Sequence, residues 1–119
     1  MGEFEFDFEK LKVYQKSLDF IDKVFEIYKT LNTEFKYSIG KNLIRAGLSI
    51  ANNIAEGNDK ISSKEKNRYF SISSDSAREC VSVLNVIARQ KLIENDVSIK
   101  MRRDAREITS MLHALMNRK

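Results

Sequence analysis

The chain has 119 residues, 42% hydrophobic and 32% charged, with four glycines, no proline and one cysteine. That length buries a core without metals or disulfides, and its apolar runs fall far short of the roughly 20 residues a bilayer span needs, so neither a stapled secreted fold nor a membrane protein is expected. The formal net charge of +4 is unevenly placed: residues 1–31 hold seven acids and five bases, 32–88 six and eight, and 89–119 four and eight.

Residues 1–7, MGEFEFD, alternate aromatic and acid and read as a short extended arm or a leader. A first helix is predicted from about Phe8 to Leu31, with two adjoining apolar rows. One is Leu11, Tyr14, Leu18, Ile21, Phe25 and Tyr28, and the other Val13, Phe20, Val24, Ile27 and Leu31. Asn32 or Thr33 breaks and caps, and a second helix runs from about Glu34 to Glu56, with Gly57 suited to a left-handed C′ position. GNDKIS is a turn, and Ser62 with Glu65 forms a capping-box signature for a third helix reaching about Gln90.

The expected core row of that third helix is Tyr69, Ile72, Ser76, Cys80, Val83, Leu84 and Ile87, flanked by Ser73 and Ala77. Lys91–Glu94 form the last connection, with Leu92 and Ile93 tucked in, and Asn95 or Asp96 caps a fourth helix. Its apolar arc is Val97, Met101, Ala105, Ile108, Met111, Leu112, Leu115 and Met116. Short turns join antiparallel neighbours, so the fold class is all-α, an up-down-up-down four-helix bundle in a single domain over 1–119.

On a wheel the second helix is apolar round about 200°, wider than the roughly 100° stripe of a surface helix. Arg45, Ser49, Asn52, Asn53 and Glu56 form a narrow polar seam opposite, with Glu79 a candidate partner from the third helix. Such excess apolar surface either marks a contact between copies or belongs to a helix central in its own bundle. Its width on both of the first two helices favours a homo-oligomer.

IRAGLSIANNIAEG (44–57), followed by SSKEKNRYFSISSDSARE (62–79), resembles the four-helix-bundle proteins encoded by intervening sequences of bacterial 23S (large-subunit) ribosomal RNA genes. FEKLKVYQ, from Phe8, matches that family's FxxLxVYQ opening. Two departures are Ala51, where proline is common, and the SSDS of residues 73–76, where a small-Gly-Ser sequence is usual. The resemblance implies a homopentamer. Through the distantly similar accessory proteins of diversity-generating retroelements it also implies association with nucleic acid, and it does not imply an enzyme.

Residue-level support for that association lies on the fourth helix, where Arg102, Arg106 and His113 share a face that Arg103, Ser110 and Lys100 extend. Arginine forks fit phosphate, and a row of them gives salt-dependent, sequence-blind affinity. The competing account is a solvated face whose arginines pair with Asp104 and Glu107. A sparser row on the third helix holds Arg78 and Arg89 with Ser71, Ser82 and Asn85.

No catalytic, cofactor or metal motif stands out. His113 is the lone histidine, Cys80 reads as a packing residue, and Asp19, Asp22 and Glu26 are interleaved with Lys12, Lys16 and Lys23 as in helical ion pairs. Arg45 with Glu56 and Glu79 is the one polar set a cryptic enzyme could use. The expectation is a cytoplasmic, non-enzymatic oligomer that binds structured RNA or an RNA-protein complex, without cofactors. The alternative is a scaffold oligomer that recruits a protein partner.

Overall fold

A computed structural model describes residues 2–117. Its regular structure is helical, in four long elements: α1 (Lys12–Thr30), α2 (Lys41–Asp59), α3 (Ser63–Arg89) and α4 (Asn95–Met116). A 3-10 turn, Asp7–Lys10, precedes α1. A helical turn at Thr33–Phe35, capped by the Asn32 side chain, and a π-helical turn at Lys36–Gly40 lead into α2. Helix α2 lies between α1 and α3, α4 packs on α3, and α1 closes the ring on α4. The antiparallel sense is visible in single contacts: Gly47 faces Val24 and Ile21 while Gly40 faces Tyr28 and Leu31, and the Asn67 amide at the start of α3 donates to the Met116 carbonyl at the end of α4. The bundle is therefore the all-α, up-down-up-down arrangement expected from the apolar period.

Its core draws one row from each helix, including Phe20 and Val24, Leu43 and Ile50, Leu84 and Ile87, Ile108 and Leu112, all 1% exposed or less. Each such side chain contributes about 2 kcal/mol on leaving water, so packing rather than helix propensity holds the elements. The broad apolar arc of α2 is largely spent inside the chain, since its two flanks face α1 and α3. Leu48 stays 42% exposed on it, and Phe25 on α1 is 38% exposed.

Several local expectations need correction. Gly57 is not a left-handed cap; no glycine among the described residues has positive φ. It lies inside α2, buried, because the Phe70 ring and Tyr69 Cβ press on it so closely that a Cβ there would sit 2.8 Å from Phe70 Cε1. The left-handed C′ residue is Lys91, φ 62°, at the end of α3. There the Leu92 amide bonds to the Ile87 carbonyl and the Lys91 amide to the Ala88 carbonyl, a Schellman closure with half-buried Leu92 folded onto the core. Lysine holds that conformation at a cost glycine does not bear. Lys91→Gly is expected to raise stability by about 1 kcal/mol in denaturant titration; a loss would show that the lysine side chain has another role.

The core row of α3 keeps the expected Ser76, Cys80, Leu84 and Ile87 but is shifted in its first turns, and Val83 is only half-buried. Phe70, Ser73, Ala77, Cys80, Leu84 and Ile87 point inward, whereas Tyr69 is half-buried and Ile72 is 37% exposed. A ring at 70 rather than 69 reaches Gly57, and the serines at 73 and 76 follow it round the helix onto α2. Helix α4 starts after Glu94, one residue before the expected caps, and no side chain caps it. Val97 is exposed and Ser98 buried, which turns its first turn by one position. Ser62 does cap α3, accepting from the Glu65 amide at 3.1 Å. The carboxylates of α1 do not form the expected pairs along their own helix; Lys16 instead reaches Glu107 of α4 at 3.1 Å.

Candidate nucleic-acid interface

Helices α3 and α4 enclose an open groove. Its lining unites the two basic rows that were separate in the sequence: Arg78 from α3 faces Arg102, Arg103 and Arg106 from α4, with Ser82, Asn85, Thr109, Ser110 and His113 between and beyond them. The pairing follows from antiparallel register. With Met116 against Asn67 and Ser71 at one end, Thr109 falls opposite Arg78 and Arg102 opposite Asn85. Ala77 and Ala105, both buried, let the helices approach and form the floor, while Val81 and the 46% exposed Ile99 add apolar surface. Along α4, Arg102 and Arg106 stand one turn apart, about 6 Å. Lys100 and Arg89 are exposed but lie outside the groove lining. Arg89 sits in the last turn of α3, where a cation favours the helix dipole.

Among the described residues, no carboxylate lies within 4.0 Å of Arg78, Arg102, Arg103 or Arg106. The ion pairs are Lys16–Glu107, Arg45–Glu79, Lys60–Glu56 and Arg68–Glu65. Glu107, the acid that could have neutralised the α4 arginines, is turned toward α1. Four guanidinium groups thus share one groove with their hydrogen-bonding forks uncommitted, an arrangement suited to an anion with oxygens along a line. Thr109 and Val81 were not singled out from the sequence; the short α3–α4 connection fixes the register that would have found them.

The polar seam forms at the α2–α3 contact. Arg45 pairs with Glu79 at 2.6 Å, the Ser49 and Ser76 hydroxyls share a bond of 2.7 Å, the Asn53 amide donates to the Ser49 carbonyl at 2.8 Å, and Ser73 donates to the Ile50 carbonyl at 2.8 Å. Asn52 and Glu56 are exposed, outside this network, and Glu56 reaches only Lys60 at 3.8 Å. The seam sets helix register mainly through its buried hydroxyls, because the exposed Arg45–Glu79 pair contributes at most about 1 kcal/mol. It leaves no open acid-base pair.

Cys80 lies on the same contact, fully buried, and burial pushes its thiol up from 9.0 to about 12, with Glu79 adding to the rise and Arg45 opposing it. A thiol so held is no nucleophile at neutral pH. The unfolded chain releases this proton above pH 9.0 and the folded chain does not until about 12, so the protein should lose stability as pH rises through that window. Relative to Cys80→Ala, the native chain is expected to lose about 1.4 kcal/mol between neutral pH and pH ~10. Parallel denaturation curves at both pH values check it.

Fold and groove together define a small antiparallel helical bundle with one basic face, in which no described helix is long and apolar enough to cross a bilayer. The chain belongs to the 23S rRNA-intervening sequence protein family, whose model matches residues 9–114. The crystal structure of a protein of unknown function from the S23 ribosomal protein family of Bacteroides thetaiotaomicron is similar to it, with a TM-score of 0.82 and 26% identity over 89% of this chain and 99% of that one. No curated protein sequence matches the chain. The two long motifs that carried the resemblance meet at the α2–α3 seam, where Arg45, Ser49 and Gly57 find Glu79, Ser76 and Phe70, and Asn53 braces Ser49 from within α2.

Proposed function

We propose that the chain is a non-enzymatic, oligomeric bundle that binds the phosphate backbone of structured RNA in the α3–α4 groove. The observation that carries this reading is the convergence of Arg78, Arg102, Arg103 and Arg106 on one groove without a carboxylate partner among the described residues. Each phosphate neutralised by such a group releases counterions, and the exposed hydroxyls of Ser82 and Ser110 offer partners for sugar oxygens. Oligomerisation rests on a different face. Phe25 and Leu48 are exposed on neighbouring helices, beside the half-buried Leu18 and Ile44, and a second copy covering them would repeat the groove around the assembly and raise a weak single-site affinity by avidity.

The test is fluorescence-anisotropy titration of nuclease-treated protein with a hairpin RNA at several salt concentrations, with mass by light scattering measured alongside. Affinity that falls linearly in log–log form with salt is expected, from a species larger than a monomer. Salt-independent binding, or none at low salt, sinks the groove reading. A monomeric mass sinks the oligomer.

A further inference from the structure

The N-terminal segment takes no part in that reading. Its acids are Glu3, Glu5, Asp7 and Glu9, its phenylalanines Phe4, Phe6 and Phe8, and no base precedes Lys10. Asp7 and Glu9 lie in the 3-10 turn and the chain bends at Phe4, but on an extended chain successive side chains point to opposite faces, so residues 3–6, once straightened, would present one acidic edge and one apolar edge. Only its root is packed. Phe8 meets Tyr14 edge-on with centroids 4.9 Å apart, and Phe6 leans on Phe8 at 5.9 Å. Phe6 is nonetheless 66% exposed and Phe4 94%. Phe4 also has φ 56°, a left-handed conformation unfavourable for a bulky residue, and so exposed a ring has little packing to hold it there.

The α3–α4 groove has the complementary character, with arginines along its sides and an apolar floor that includes Val81 and the exposed Ile99. We propose that residues 2–7 of one copy dock in the α3–α4 groove of a second copy, carboxylates against the arginines and Phe4 and Phe6 on the floor. This rests on the groove being an anion-receiving surface, and it adds a competitor for the nucleic acid proposed to bind there.

The geometry selects a second copy as the occupant. The Asp7–Lys10 turn that roots the arm packs on α1 and α2, whereas the groove opens between α3 and α4, across a body 31 × 22 Å in section. Gly2 to Phe6, fully extended, spans at most about 17 Å. Because arm and groove are different surfaces, their contact is heterologous and propagates head to tail, closing into a ring when the rotation allows.

Cross-linking of the full chain tests it. Phe6→Cys combined with Ser82→Cys, mildly oxidised, is expected to give a ladder of covalent multimers on a non-reducing gel, while each single variant gives nothing beyond a dimer. Cys80, buried, stays out of the reaction. Adding Glu3→Lys, Glu5→Lys and Asp7→Lys should cut the ladder at least tenfold, and Arg102→Glu with Arg106→Glu on that background should restore it. Absence of a ladder, closure within one chain, or a ladder indifferent to charge reversal overturns the docking. Hairpin RNA supplies the separate arm: suppression of the ladder supports a shared groove. A ladder that RNA leaves unchanged overturns the nucleic-acid site and not the arm, whereas salt-dependent RNA binding without any ladder overturns the arm and not the nucleic-acid site.

Discussion

Alanine at Gly57 should lower stability by about 1–2 kcal/mol, while alanine at Gly47, ten residues earlier on the same helix, should raise it by about 0.5–1 kcal/mol. Both substitutions gain the same helix propensity, because glycine loses more backbone freedom on folding than alanine does. The surroundings decide the sign. At Gly47 a new methyl meets Val24 at 3.7 Å and Ile21 at 3.8 Å, ordinary contact distances. At Gly57 it meets the Phe70 ring at 2.8 Å and Tyr69 Cβ at 3.0 Å, and the latter atom cannot swing away without moving α3. Thermal melts of the two variants beside the parent should bracket it by several degrees on either side. If the Gly57 variant melts with the parent, the α2–α3 contact is looser than described.

The second large effect concerns the groove. Changing Arg102 and Arg106 together to glutamate should weaken hairpin-RNA binding by about a hundredfold at low salt and flatten the log–log salt slope by roughly two. The melting temperature should stay near the parent's, because both side chains are exposed and neither has a carboxylate partner within 4.0 Å among the described residues. A matched pair, Lys100→Glu with Arg89→Glu, changes net charge equally but lies outside the groove lining, so it should weaken binding far less. Equal losses from the two pairs would mean that net charge, not the groove, attracts the RNA.

Much of the fold was legible because it rests on periodicity. The 3.6-residue spacing of Val13, Phe20, Val24 and Ile27, and of Met101, Ala105, Ile108 and Leu112, marks two helices and their inward faces. Legibility failed where identity and contact diverge. Gly57 ends a periodic run followed by polar turn residues, which resembles a cap, yet its glycine is required by a ring thirteen positions away. Lys91 carries no local signal of a left-handed residue and was missed for the same reason. On α3 the adjacent Tyr69 and Phe70 are both apolar, and one helical position separates two candidate rows, so the sequence could not say which ring faces α2.

The candidate site was half legible. Its arginines were visible as two rows, but a wheel drawn for one helix has no knowledge of its neighbour. Only the register of α3 against α4 brings Arg78 to the others and leaves Arg89 and Lys100 aside. Nor could spacing show that Glu107 turns to Lys16; along α4 alone it sits beside Arg103 and Arg106 and looks available to them.

The buried hydroxyl seam bears on how the two walls of the groove are held. Ser49 with Ser76, Ser73 with the Ile50 carbonyl, and Phe70 seated on Gly57 join α2 to α3 by polar bonds and close packing together. Helix α4 is held to α3 chiefly by apolar contact and, near its end, by single long bonds of 3.4 Å from Asn67 and Ser71 to Met116. One wall of the groove is therefore anchored through its back to the rest of the bundle by polar bonds, while the other, bearing three of the four arginines, is seated by its apolar row and by the single Lys16–Glu107 pair to α1.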